Sequence, residues 1–412
     1  MNIAIVSLVF PPETGSARRV GELAQSLAGQ GHQVSVVTGF PSYPKGIVYQ
    51  GFRKTLIQKS RWSETADLFR VYLYTSPRRR QFAHRLLHYL TFTLTSILGG
   101  LRAPRPDVVY VVSPPYFLGF SGWLIARARG ARLAFDVQDF WPEAPIALGY
   151  VKNQALVKIL LWLERFIYDR CDVIFALSDL MKAKIVERGV LPQKIERVYN
   201  WVDLSELVSV PGDERRAQHN LQNKFVVLFA GNMGLAQGLD VVLDAAHLLQ
   251  DRSDIAFVLL GDGIERPRLV ERAQSLDLRN LLFIDAVPEK DVPPYLGMAD
   301  VLLATLGRAK HREAALPSKI QVYMASAKPL LVAAEGAAAQ VVQQAGCGLV
   351  VAPDAPQDLA AAVLQLQTMS PQARRDLGEA GRLYAEQNFA REQQCSLIES
   401  RLISLAIGQR RT

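Results

Sequence analysis

Cysteine is scarce in this 412-residue sequence, and its placement rules out more than it offers. Cys171, Cys347 and Cys395 lie far apart with no CxxC pair. That argues against a disulfide framework or a zinc site and suits a reducing compartment. No apolar stretch reaches the roughly 18 residues of a spanning helix. The nearest, FAHRLLHYLTFTLTSILGGL at 82–101, is interrupted by His, Arg and Thr. Met1 leads straight into an apolar strand without a basic segment and cleavage site, so a mature cytoplasmic chain is expected. There is no DxD pair, no HExxH, no GxSxG and no kinase motif set. A divalent-metal site of the DxD type is therefore not expected, nor any cofactor.

Acidic residues are the minority among charges: 39 Asp and Glu against 47 Lys and Arg, a formal net charge of +8. Arg78, Arg79, Arg80 and Arg85 cluster, with Arg102 and Arg105 close behind. Such a patch suits anionic lipid, a phosphorylated ligand or nucleic acid. The run lacks the interleaved aromatics of a nucleic-acid module, so nucleic acid is not expected as a partner.

What is present is a rhythm of short apolar runs alternating with segments of helical period. In the first half the runs are IAIVSLVF from Ile3, VSVVTGF from Val34, LFRVYLYT from Leu68, DVVYVVS from Asp107, RLAFDVQ from Arg132 and DVIFALS from Asp172. In the second they are FVVLFAG from Phe225, IAFVLLG from Ile255, LLFIDAV from Leu281, DVLLATL from Asp300, KPLLVAA from Lys328 and GLVVAP from Gly348. Continuous apolarity means that both faces of each strand are covered, which reads as parallel sheets between helices. The expectation is an α/β protein of two doubly wound, Rossmann-like domains facing a cleft, residues 1–203 and 224–388. A linker is expected at 204–223 and a C-terminal helix at 389–412, packing back towards the first domain.

Ligands of doubly wound sheets sit at the carboxyl ends of the strands, which directs attention to five loops. FPPETGSARR places Gly15 between the first strand and a helix N-terminus, where free N–H groups and the dipole favour an anion. FAGNMGLAQGLD places Gly231, Gly234 and Gly238 at the equivalent loop of the second half, and LLGDGIERPRL adds Gly261 and Asp262. These glycines serve either a ligand or tight packing. LPSKIQVYMASAKP sets Ser318 to cap a helix and Lys319 near its N-terminus, where a cation is locally unfavourable unless an anion lies between. DFWPE and the residues before it gather Asp136, Gln138, Asp139, Trp141 and Glu143, acids and an indole suited to a polyol.

Taken in order, FPPETGSARR, DFWPE, VYNWVD, FAGNMGLAQGLD, LLGDGIERPRL, LLFIDAVPEKDVPPYLGMADVLL and PSKIQVYMASAKP resemble the family 4 group of retaining GT-B glycosyltransferases over nearly the whole length. DFWPE and GNMGLAQGLD look most like the WbuB-type enzymes of O-antigen and capsule assembly, which transfer N-acetylated deoxyamino sugars. The resemblance implies a nucleotide-diphosphate sugar, a UDP-sugar, bound by the second domain, 224–388, and an acceptor bound by the first, 1–203. Gly15, Gly231, Asn232, Gly234, Gln237, Gly238, Gly261, Asp262, Glu313, Ser318 and Lys319 would line that site, and Val287 would hold the base through backbone contacts. Arg18, Trp141 and Glu143 would bind the acceptor, with Asp139, Gln138 and Lys319 as catalytic groups.

The chain departs from the family pattern at several points. Asn232 and Gln237 stand where relatives carry an Arg and a Lys, Gln138 where they carry His, and Val322 where the second of two glutamates belongs. Arg308, Lys310, His311 or Arg312 could compensate alongside Lys319. A basic entry followed by apolar residues suggests that 78–102 touches an anionic membrane surface, which would place a lipid-linked glycan acceptor at the inner face of the cytoplasmic membrane. A UDP-sugar 2-epimerase and a non-catalytic nucleotide-sugar binder share the same architecture and stand as alternatives.

Overall fold

The computed structural model describes residues 1–78, 81–140, 143, 146, 151–207, 210–309 and 313–409. The chain divides into two compact units, Met1–Tyr199 with the residues from Glu392 onward, and Asn200–Arg391.

The first unit is built on eight strands: β1 (Asn2–Ser7), β2 (Gln33–Gly39), β3 (Ile57–Ser63), β4 (Ala66–Val71), β5 (Val108–Val112), β6 (Arg132–Val137), β7 (Val173–Ala176) and β8 (Ile195–Arg197). Their order is β3-β4-β2-β1-β5-β6-β7-β8. All pairings are parallel except β3 with β4. β5 is buried along its whole length, as both-face coverage requires. β3, sequence IQKSRWS, is a mostly exposed antiparallel edge whose polar pattern carries no apolar run, and β8 is three residues long; neither is signalled by the sequence.

The helices of this unit are α1 (Ser16–Gly29), α2 (Phe82–Arg102), α3 (Leu118–Arg129), α4 (Gln154–Arg170) and α5 (Asp179–Glu187). Local chemistry sets their ends. Asn153 Oδ1 accepts from the amides of Ala155 and Leu156 to start α4, and Ser178 Oγ accepts from Met181 N to start α5. Gly130, at φ 65°, ends α3.

The second unit holds β9 (Phe225–Ala230), β10 (Ile255–Leu260), β11 (Leu281–Ile284), β12 (Val301–Thr305), β13 (Leu330–Ala333) and β14 (Gly348–Val351), ordered β11-β10-β9-β12-β13-β14 and all parallel. β9, β10, β12 and β13 are wholly buried, and Phe229, Phe257 and Leu303 lie in the core against its helices. Those helices are α6 (Asp213–Gln218), α7 (Asp240–Leu248), α8 (Arg266–Ser275), α9 (Pro293–Met298), α10 (Ser318–Ala325), α11 (Ala337–Ala345), α12 (Pro356–Thr368) and α13 (Pro371–Asn388).

The segment expected as a linker lies within this unit. α6 falls inside it, and Arg216 donates to the Met298 carbonyl and to Asp300. The last helix, α14 (Arg391–Gln409), packs on the first unit: Gln394 accepts from Tyr199 N, Glu399 pairs with His32, and Ile398 and Leu402 are fully buried.

In each sheet the strand order reverses beside its first strand, between β1 and β5 and between β9 and β12. Those two switch points are where ligand crevices open in doubly wound sheets.

Candidate active site

At the switch point of the first unit, α1 begins directly after Gly15, which adopts φ 71° and ψ −126°. No side chain caps the helix, and a Cβ at Gly15 would meet nothing within 4 Å. The glycine is needed here for its backbone, and the space in front of it is open. Glu13, buried in the same loop, accepts from the amides of Ser42 and Tyr43, each at 2.8 Å. Arg70, also buried, donates to the carbonyls of Gly39 and Pro11, so the loop is pinned from behind.

Asp136, at the carboxyl end of β6, is fully buried and fully engaged. Arg19 of α1 donates to its Oδ2 at 2.5 Å, Tyr110 OH to the same oxygen at 2.7 Å, and Gln138 Nε2 to Oδ1 at 2.6 Å. The expectation that Asp136 faces a sugar hydroxyl is therefore corrected: its lone pairs are spent inside the protein, where an unpaired carboxylate would be costly. Gln138 turns its side chain towards Asp136 for the same reason, and its backbone N–H donates to Ser113 Oγ at 3.0 Å. Asp139 is different. Its side chain has exposed surface, and the protein crowded around it removes enough water from the carboxyl to push it up to about 6.

Glu143 and Arg18 also have partners within this unit. Glu143 forms an ion pair with Arg188, whose guanidinium reaches buried Glu164 as well and lies over the Phe140 ring at 4.8 Å. Burial pushes Glu164 up to about 7 against the pull of Arg188 and Tyr168. Arg18 donates to Glu22 one turn along α1 at 2.7 Å. Trp141, Lys310, His311 and Arg312 lie outside the described residues.

In the second unit the loop after β9 and the N-terminus of α10 meet at the switch point. Lys319 Nζ lies over the Phe229 ring at 3.6 Å and donates to Gln237 Oε1 at 3.2 Å. A Cβ at Gly231, whose φ is 137°, would stand 3.4 Å from that nitrogen, so glycine keeps the approach to the ammonium clear. Among the described residues no carboxylate pairs with Lys319, and burial pushes its ammonium down to about 7.

Tyr323, one turn further along α10, accepts from Ala230 N at 2.8 Å and donates to Ala230 O at 3.0 Å. It ties the end of β9 to the helix that carries Lys319. The expectation for Ser318 is corrected here: Pro317 occupies the cap position, Ser318 is the first helical residue, and no side chain caps the helix. The uncapped end leaves its amides directed at whatever lies before Lys319.

The remaining expected donor residues divide by what surrounds them. Gly238, at φ 60°, packs on Gly307, and Gly261 packs against the backbone of Gly231, so both serve close loop packing. The Asp262 carbonyl accepts from Met233 N at 2.7 Å, joining the loops after β9 and β10, while its side chain is exposed. Asn232 is exposed beside Gly234. Val287 is half-buried in the loop after β11, and the Glu313 carbonyl accepts from Ala337 N at 2.6 Å. Arg308 lies 3.6 Å from Glu335.

Sequence reasoning missed Arg19, Tyr110, Tyr323 and Arg188. A usable signal existed for Tyr323 alone, which stands four residues after Lys319 on one helix and so shares its face.

Residues 14–201 match the family described as Glycosyl transferase 4-like domain, and residues 212–384 that described as Glycosyl transferases group 1. WcaI of Escherichia coli (strain K12), named for colanic acid biosynthesis, is 30% identical over 345 residues, 81% of this chain and 84% of its own. WbjE of Pseudomonas aeruginosa, named as a glycosyltransferase, is 26% identical over 320 residues, 76% of this chain and 79% of its own. Among solved structures, Anabaena HepE in complex with UDP-glucose superposes with a TM-score of 0.70 at 15% identity, covering 98% of this chain and 100% of that one. With two Rossmann-like units and these matches, the chain belongs to the glycosyltransferase 4-like family of GT-B glycosyltransferases.

Proposed function

We propose that the protein transfers a sugar, an N-acetylated deoxyamino sugar, from a UDP-sugar to a polyprenyl-linked or other membrane-associated glycan in surface polysaccharide synthesis, with retention and without a metal. The observation that carries the reading is the Lys319 ammonium, held without a carboxylate partner among the described residues beside the glycine loop after β9. A diphosphate there would supply the missing counter-charge. UDP is favoured because HepE was solved with UDP-glucose, and surface polysaccharide because WcaI is named for colanic acid biosynthesis.

In this reading the bond between the anomeric carbon and the diphosphate oxygen breaks, and an oxocarbenium-like centre develops. Lys319, the loop amides and the uncapped end of α10 stabilise the leaving diphosphate. The acceptor hydroxyl oxygen bonds to the anomeric carbon on the departing face, and its proton passes to Asp139. A carboxyl titrating at about 6 is ionised at neutral pH and basic enough to take it. Work at the inner face of the cytoplasmic membrane follows from the lipid-linked acceptor.

A melting-temperature panel of UDP, GDP, ADP and TDP and their sugars, without added metal, tests the donor. A rise with UDP and a UDP-sugar in wild type, lost in Lys319→Ala, supports the reading. A nucleotide sugar that binds and is epimerised without an acceptor would replace it with an epimerase. No response to any nucleotide would leave a non-catalytic relative.

A further inference from the structure

The helices α2, α3 and α4 form one layer against the sheet of the first unit. A Cβ on Gly100 of α2 would collide with Ile125 of α3, and one on Gly119 of α3 with Ile167 of α4, so the glycines let the three helices close up. The sheet side of the layer is ordinary core, with Phe92, Ser96, Ile167 and Tyr168 all buried.

The solvent side is not ordinary. α2 presents Leu87, Leu90, Leu94 and Leu98, spaced three and four apart and therefore in one stripe, with Leu94 64% exposed. α4 presents Ile159 and Trp162, the latter 63% exposed. Trp162 lies tilted against Phe166 with ring centroids 5.5 Å apart, and Phe166 meets Trp123 of α3 edge-on at 5.2 Å, so aromatic surface runs from α4 onto α3. Exposed helix faces in globular proteins are normally polar, and a contiguous apolar one marks a binding surface.

Charge indicates the occupant. The three helices carry two, two and three lysines and arginines, against only Glu164 and Asp169. Glu164 is buried against Arg188, and Asp169 pairs with Arg165. Apolar residues and a tryptophan set among cations with no free carboxylate among them complement an anionic bilayer surface.

We propose that the solvent side of α2, α3 and α4 docks on an anionic bilayer, with Ile159 and Trp162 of α4 inserting alongside the leucines of α2. The inference rests on the membrane-associated acceptor proposed above and enlarges the contact beyond residues 78–102. No helix among the described residues is long and apolar enough to cross a membrane, so the docking lies on the surface.

Sedimentation with vesicles of equimolar phosphatidylcholine and phosphatidylglycerol, and with phosphatidylcholine alone, tests it on wild type, Trp162→Ser and Leu94→Ser. Wild type is expected on the mixed vesicles, and each variant about tenfold weaker, since each removes a large apolar side chain from the contact. Melting temperature and nucleotide-sugar binding stay at wild-type values in both variants, which separates failure of docking from failure of the donor reading. Loss in Leu94→Ser with none in Trp162→Ser would confine the contact to α2 and overturn the proposal. A wild-type protein that ignores vesicles and instead dimerises through these residues would overturn it as well.

Discussion

Each unit brings a cation to the carboxyl ends of its central strands, and the two are treated in opposite ways. Arg19 donates to Asp136 in a buried site shared with Tyr110, so its charge is neutralised by the fold. Lys319 has a ring face, an amide oxygen and an uncapped helix end, and its pKa falls to about 7. A cation with its own counter-ion holds structure together. A cation kept without one weakens the fold locally and is retained for a ligand that brings the charge.

The comparison breaks most sharply at Arg19. Arg19→Met leaves the buried Asp136 side chain without its cation partner and should cost about 3–5 kcal/mol, read as a lower midpoint of denaturant unfolding. The matching change in the second unit, Lys319→Met, should leave the unfolding midpoint unchanged or higher while weakening nucleotide-sugar binding roughly tenfold to hundredfold, the range for one charged hydrogen bond. If Arg19→Met proved harmless to stability, the structural reading of that pair would fail.

Tyr323→Phe sharpens the second half of the comparison. It removes the hydroxyl that serves both Ala230 N and Ala230 O, at a cost of about 1–3 kcal/mol in stability. Nucleotide-sugar affinity should fall with it, because β9 and α10 lose their tie. A stability loss with affinity unchanged would show that Lys319 is positioned by other contacts.

The twelve apolar runs of the sequence all fall on strands, because a parallel strand covered on both faces must be apolar throughout. β3 and β8 escaped since edge strands need no such pattern. The loops around the two switch points were legible for the same topological reason.

What each residue does there was not. Arg18 and Arg19 are neighbours in sequence, yet one pairs with Glu22 on its own helix and the other with a carboxylate 117 positions away. The inward turn of Asp136 and Gln138 follows from that distant partner. Glu143 likewise shows its partner, Arg188, only when the fold brings the residue after α5 beside it.

The pH dependence of binding is the most direct test of Lys319. With its free-state pKa at about 7, the ammonium is charged below that pH and progressively neutral above it. Binding of a diphosphate returns the lysine towards its ordinary value, so affinity is full below about pH 7 and declines above it by up to about tenfold per pH unit. The ligand should be the intact nucleotide sugar rather than the free diphosphate, whose terminal phosphate itself titrates near about 6. Calorimetric titration of that ligand from about pH 6 to about pH 9, on wild type and Lys319→Met, decides the matter. The account predicts a decline with pH in wild type and a flat profile in the variant; a flat wild-type profile, or the same decline in both, would contradict it.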